Sequence, residues 1–259
     1  MKIVMIGAGN VATNLAKSLA KAGLAPVQIW SRTEASAAAL AAAVGCSATA
    51  DWNAVERGAD IYIVSVKDDA MQGVIEQLCS RCRHGIFVHT AGTVSMKLFE
   101  GKAEHYGVLY PMQTFSKQKE VDFRKVPCFV EASDGYTLNA IMRLAEAVSD
   151  NVRELAEADR KWLHVAAVFA CNFSNACCSM AAKLLESHGL DFSVMLPLVD
   201  ETIAKLHSLQ PREAQTGPAV RGDTIVMGEH LSMLSDDAQL QDVYRKISAY
   251  INPQIKNRI

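Results

Sequence analysis

Residues 3–12 read Ile3-Val4-Met5-Ile6-Gly7-Ala8-Gly9-Asn10-Val11-Ala12, and this stretch decides the fold. Residues 2–6 form a short apolar run rich in β-branched side chains, the mark of a buried strand. Leu15 and Leu19, four apart, then give 10–22 a helical spacing. Between strand and helix lies G-x-G-x-x-A. The first glycine permits a tight turn, the second lets backbone approach a pyrophosphate, and the small Ala12 lets the helix pack on the strand. The helix N-terminus then offers N–H groups and a partial positive charge to phosphates. Gly7, Ala8, Gly9, Asn10, Val11 and Ala12 are therefore candidate dinucleotide contacts. The alternative is a glycine turn with a purely structural role.

The same alternation continues outward. Residues 27–30, 61–66, Ile86–His89, 107–109 and 128–131 have strand character. Glu34–Val44, 69–79 and 136–148 have helical character. The run Ile-Tyr-Ile-Val-Ser-Val at 61–66 is apolar on both faces, as a strand inside a parallel sheet must be. Strands alternating with helices give βαβ units and a doubly wound α/β sheet. After about residue 153 the pattern becomes helical only, with candidates at 159–186, 192–209, 224–234 and 237–250. Pro197 is expected to kink the second of these. The expected organisation is a Rossmann domain over 1–154 and an all-helical domain over 155–259.

The second strand ends in Trp30-Ser31-Arg32-Thr33. An acid at this point would bind the ribose hydroxyls of NAD. A hydroxyl and a guanidinium instead suit a 2′-phosphate, so Ser31 and Arg32 favour NADP. Otherwise Arg32 is a solvated surface charge. Ligands of open α/β sheets bind beyond the carboxyl ends of the strands. That makes Ser65, Val66, Lys67 and Asp68, His89, Thr90 and Gly92, and Tyr110, Pro111 and Gln113 candidates, with Val66, Lys67, Thr90 and Gly92 against a cofactor and Gln113 a contact to nicotinamide or substrate. Asp68 or Asp69 is expected to cap the next helix. His89 is either a proton donor or a satisfied structural histidine. In the helical half, His164, Asn172 and Asn175 are polar positions on a largely apolar helix. His164 is a candidate acid or a packed helix residue. Arg221 either clamps a substrate carboxylate or locks domains by an ion pair, and Asp223 reads as an N-cap.

Composition bounds the rest. The chain has 259 residues, 26 Lys plus Arg against 28 Asp plus Glu, a net charge of −2 and 50% hydrophobic residues. This is too apolar for a disordered chain and lacks the basic footprint of a nucleic-acid binder. Seven irregularly spaced cysteines argue against a disulfide framework, and the opening apolar run is too short for a signal-peptide core. A cytoplasmic protein is expected. Residues 165–185 are nearly all apolar but include Asn172, Ser174, Asn175, Ser179 and Lys183, too many polar groups for a lipid-facing span. They read instead as the central helix of the second domain, buried in a core or an interface. A domain of about a hundred residues can hardly bury it alone, so a homodimer through the helical domain is expected.

Taken with Ser31-Arg32, His89-Thr90-Ala91-Gly92, Tyr110-Pro111-Met112-Gln113-Thr114-Phe115 and Thr216-Gly217-Pro218-Ala219-Val220-Arg221-Gly222-Asp223, the glycine turn carries a family likeness over nearly the whole length. The chain resembles a bacterial family of Rossmann-like oxidoreductases with a C-terminal domain of unknown function. That family is related to pyrroline-5-carboxylate reductase and to deazaflavin-dependent NADP reductases. The resemblance implies an N-terminal NADP domain and a 6-phosphogluconate-dehydrogenase-like helical domain that dimerises. It fixes no substrate. Helical-domain β-hydroxyacid dehydrogenases carry Lys four residues before an Asn, whereas Val168 precedes Asn172 here. The 216–223 string also differs from the product-binding segment of pyrroline-5-carboxylate reductases. Two functions follow as expectations. One is hydride transfer to or from a small carbonyl or imine in a cleft between the domains, served by His164, Asn172, Arg221 and Gln113. The other is a non-catalytic NADP-binding sensor or scaffold.

Overall fold

The computed structural model describes residues 1–256. Its first half is an eight-stranded sheet built from β1 (Ile3–Ile6), β2 (Gln28–Trp30), β3 (Ser47–Thr49), β4 (Ile61–Val64), β5 (Ile86–His89), β6 (His105–Pro111), β7 (Cys128–Ala132) and β8 (Val152–Glu154). The order is β3-β2-β1-β4-β5-β6-β7-β8, parallel except where β6 meets β7. The strand order reverses between β1 and β4, where α/β sheets bind ligands. Helices α1 (Asn10–Lys21), α2 (Glu34–Val44), α3 (Asp68–Arg81) and α4 (Gly135–Glu146) cover the two faces. One apolar layer joins Ile3 and Met5 to Leu15, Leu19, Leu40 and Leu144. The other joins Val4, Ile6 and Tyr62 to Ile75, Leu78 and Phe87. Alternate residues of β1 point to opposite layers, and all four are buried, as the unbroken apolar run requires.

The helical half consists of α5 (Glu157–Ala167), a π-helical segment (Val168–Phe173), α6 (Ser174–Glu186), α7 (Leu196–Lys205), α8 (Pro211–Ala214), α9 (Pro218–Arg221), α10 (Thr224–Met233) and α11 (Ala238–Ile251). The helix expected over 159–186 thus carries a π interruption. Pro197 does not kink α7 but lies in its first turn, where its missing N–H costs nothing. The chain divides into compact units at Cys171/Asn172, inside the long helix and later than the change of pattern at 154/155. The reason is Arg160, a fully buried residue that ties α5 into the sheet unit.

The helix Glu157–Glu186 is long and apolar enough to cross a membrane, with a mean hydropathy of 1.4 over its best window. None of that window is buried within the chain, so of the two expected places, a core or an interface, it does not fill a core of this chain. The second unit has a small core of Ala219, Met227 and Ile255 flanked by Tyr244 and Ile251. Leu198, Ile203, Ile225 and Met233 of that unit stay exposed.

Candidate functional site

The glycine turn lies at the carboxyl end of β1. Gly7 has φ +121°, and a Cβ there would fall 2.1 Å from the Ser65 carbonyl oxygen at the end of β4. Only glycine fits. Its N–H donates to Trp30 O at 2.7 Å, so the turn is tied to β2 as well. Ala8 and Ala12 are buried and pack the turn and helix onto the sheet. Gly9 is the N-cap of α1, and open space surrounds the place where its Cβ would be. No side chain caps this helix and no acid stands in its first turn. The first N–H groups of α1, next to exposed Asn10 and half-buried Val11, therefore lack a side-chain partner. A groove of about 340 Å³ runs between α1 and α2 from Ala8, lined also by Thr13, Lys17, Ser36 and Lys117. Bare helical N–H groups, close backbone and lysines fit a phosphorylated dinucleotide.

At the end of β2, the Ser31 N–H donates to Thr49 O at 3.1 Å, fixing the start of the next loop. Arg32 is exposed and forms no ion pair among the described residues. Val66 is half-buried and Lys67 exposed after β4. Lys67 is the N-cap of α3, so Asp68 and Asp69 stand in its first turn and do not cap it. Asp68 accepts instead from Thr93 Oγ1 at 2.8 Å. Thr90 Oγ1 donates to Ser65 Oγ at 3.0 Å, both groups buried.

His89 is fully buried, and its Nδ1 accepts the Ala91 N–H at 3.2 Å. Burial pushes its pKa down to about 3, with the nearby Arg160 charge adding to the effect. Burial thus favours its neutral form, with Nδ1 accepting and Nε2 buried without a hydrogen-bond partner among the described residues. Tyr110, near the end of β6, places Oη 3.1 Å from Nδ1 of His164 on α5. Gly92 is buried beneath both rings, and a Cβ there would lie 2.7 Å from His164 Nδ1 and 2.9 Å from Tyr110 Cζ. Burial pushes the Tyr110 phenol above its ordinary pKa, a rise opposed by Arg160.

Arg160 holds this arrangement together. One of its terminal nitrogens donates to the carbonyls of Ala91 at 3.0 Å, Gly92 at 2.9 Å and Val94 at 2.9 Å. The other meets Glu131 Oε2 at 2.9 Å. Glu131 Oε1 accepts the Glu157 N–H at 3.0 Å, anchoring the first turn of α5. Gln113 is exposed and its Oε1 accepts the N–H of its neighbour Thr114. Asn172 and Asn175 are exposed on the π segment and α6. Arg221 is exposed at the end of α9, while Asp223 caps α10 through the Val226 N–H. Tyr110 is a strand-end candidate in the sequence, but its pairing with His164, and the support from Arg160 and Glu131, are not legible there. The Glu-Ala-Asp-Arg-Lys string around Arg160 looks like a solvated helix start.

Fold and site together define a dinucleotide-binding oxidoreductase class, a Rossmann unit followed by a helical unit. Comparison with known proteins narrows the class. The family described as NADP oxidoreductase, coenzyme F420-dependent, matches residues 2–91, and the domain of unknown function DUF2520 matches residues 126–251. BF3122 of Bacteroides fragilis, a candidate NADP oxidoreductase, is 48% identical, with a TM-score of 0.94 over 97% of this chain and 98% of that one. The chain belongs to this family of NADP oxidoreductases with a DUF2520 C-terminal domain. An imine reductase from Myxococcus stipitatus, in complex with NADP+, shares the fold at 14% identity, with a TM-score of 0.71 over 99% and 94% of the two chains. A pyrroline-5-carboxylate reductase from Coxiella burnetii does so at 18% identity, with a TM-score of 0.60 over 98% and 97%. No curated protein matches the chain.

Proposed function

We propose that this chain binds NADP and moves a hydride between it and a small carbonyl or imine substrate. The observation that carries the reading is the uncapped, acid-free N-terminus of α1 behind a Gly7 turn that no other residue can form. Backbone N–H groups at Gly9, Asn10, Val11 and Ala12 would hold the pyrophosphate. Ser31 and Arg32, which forms no ion pair among the described residues, would hold the 2′-phosphate. Val66, Lys67, Thr90 and Gly92 would flank the remainder of the cofactor. His164 is assigned as the proton-transfer group, and Gln113, Asn172 and Arg221 as polar contacts for the substrate. The His164–Tyr110 pair gives the enzyme reading a positioned imidazole, and NADPH oxidation with carbonyls or imines separates that reading from a sensor. Fluorescence titration tests the cofactor. NADPH should bind at least tenfold more tightly than NADH, and Arg32→Glu should remove that preference. Equal or stronger NADH binding by the unaltered protein refutes it.

The same reading assigns a homodimer through the helical unit, supported by the unburied apolar window of Glu157–Glu186 and the small core of Asn172–Ile259. A cytoplasmic setting is supported by seven cysteines that are all free.

A further inference from the structure

We infer that a lysine-lined cavity beside α1 is a second anion site, one that takes a phosphate group, either the free ion or a small monoester. It lies outside the oxidoreductase reading above and stands without it. The cavity measures about 160 Å³, between α1 and residues 117–121 of the loop that follows β6. A water takes about 30 Å³ of liquid, so several waters or one tetrahedral oxyanion fit.

The loop is anchored on both sides of the cavity. Phe115 stacks on Phe123 with ring centroids 5.7 Å apart. Phe123 belongs to the apolar layer of Leu15 and Leu19, and Phe115 and Val121 pack against that layer. Buried Asn14 of α1 donates to Ser116 O at 3.0 Å. Ser116 Oγ in turn accepts the Lys119 N–H at 3.2 Å. The segment between these anchors runs along α1 and brings Lys117, Gln118 and Lys119 to the cavity wall. Thr13, Lys17 and Ser18 of α1 face them across it.

This wall is rich in unspent donors and short of negative charge. Lys21 pairs with Glu120, the one carboxylate on the wall among the described residues. Lys17, Lys117 and Lys119 form no ion pair among the described residues. Four cations against one carboxylate leave a charge of +3 around the cavity, in a chain whose net charge is −2. Thr13 is only 8% exposed, lines the cavity, and its hydroxyl has no hydrogen-bond partner among the described residues. A buried hydroxyl without a partner is costly, and cations gathered without counter-charge repel one another. A phosphate dianion relieves both, because it accepts from the hydroxyl and neutralises the lysines. The cavity lies along the side of α1, so it does not depend on the helix N-terminus. It is also too small and too local to be the extended basic face that nucleic acid requires.

Amide NMR of the full, cofactor-free chain titrated with inorganic phosphate tests the site. Millimolar phosphate should shift the amides of residues 13–18 and 117–121 saturably, and sodium chloride at matched ionic strength should not. Lys17→Gln and Lys117→Gln should each weaken binding about tenfold, the loss of one charge-assisted contact. Lys117 is exposed, so its replacement leaves the fold intact. Thr13→Val keeps the shape without the hydroxyl and should weaken binding severalfold. Glu120→Gln removes the carboxylate from the wall and should tighten it. A parallel titration with glycerol phosphate separates a monoester from the free ion; saturable binding of either supports the site, and the tighter one names the source. Shifts confined to residues 7–12 would put the anion at the glycine turn and overturn the inference. So would shifts that chloride reproduces, no saturable shift with either probe, or a Lys17→Gln, Lys117→Gln double variant that binds within twofold of the unaltered chain.

Discussion

Replacing Arg160 by Met should unseat the whole candidate site. The guanidinium side chain is 1% exposed and its partner Glu131 16% exposed. Met keeps most of the volume but removes four hydrogen bonds, to Ala91, Gly92, Val94 and Glu131. Three carbonyls lose their donor and the Glu131 carboxylate is left without its counter-charge. Removing one member of a buried pair costs about 3–5 kcal/mol, because the other charge stays desolvated. For a domain of this size that corresponds to a fall in Tm of roughly 10 °C. Adding Glu131→Gln should restore part of the loss. The amide carries no charge to strand and can still accept the Glu157 N–H. Urea unfolding followed by circular dichroism gives the energies. Hydrogen exchange localises them: amides of residues 90–96 should lose protection while those of β1 and β2 keep theirs. A loss below about 1 kcal/mol, or a double variant no more stable than Arg160→Met, would refute the view that Arg160 and Glu131 fix the loop after β5.

Three further outcomes are expected. Gly7→Ala should abolish NADPH binding and destabilise the sheet unit, since its Cβ would meet the Ser65 carbonyl at 2.1 Å; calorimetry and fluorescence titration check both effects. His89 should make the fold acid-sensitive. Its imidazole takes a proton at about 6.5 when unfolded but only near 3 when folded, so stability is full above pH 6.5 and falls as pH drops toward 3. The slope is about 1.4 kcal/mol per pH unit at most, and His89→Asn should lose that contribution in urea melts across pH 4–7. Analytical ultracentrifugation at micromolar concentration should find a dimer. A stable monomer would leave the apolar window of Glu157–Glu186 without a cover and contradict the dimer assignment.

Much of the sheet unit was legible because its signals are local. β1, β4 and β5 are continuous apolar runs, and α1 and α2 carry their spacing in the string itself. The strands that escaped notice are β3 and β8, three residues each at the two edges. Ser-Ala-Thr and Val-Arg-Glu have no apolar run because edge strands are not buried on both faces. Asp68 misled for a related reason: acids are favoured throughout a helix's first turn as well as at the cap.

The sequence by itself determined the glycine turn and the alternation of β1, β2, β4, β5, β6 and β7 with their helices. Each depends on contacts within a few residues or on a backbone angle that one residue type alone allows. Only the tertiary structure decided that Arg160 is buried, that Gly92 lies beneath two rings, and that Tyr110 meets His164 across 54 positions of chain. Periodicity assigns a charged residue near a helix start to solvent. Burying it becomes favourable only when carbonyls from one loop and a carboxylate from another strand converge on it, and that convergence is a property of the folded chain.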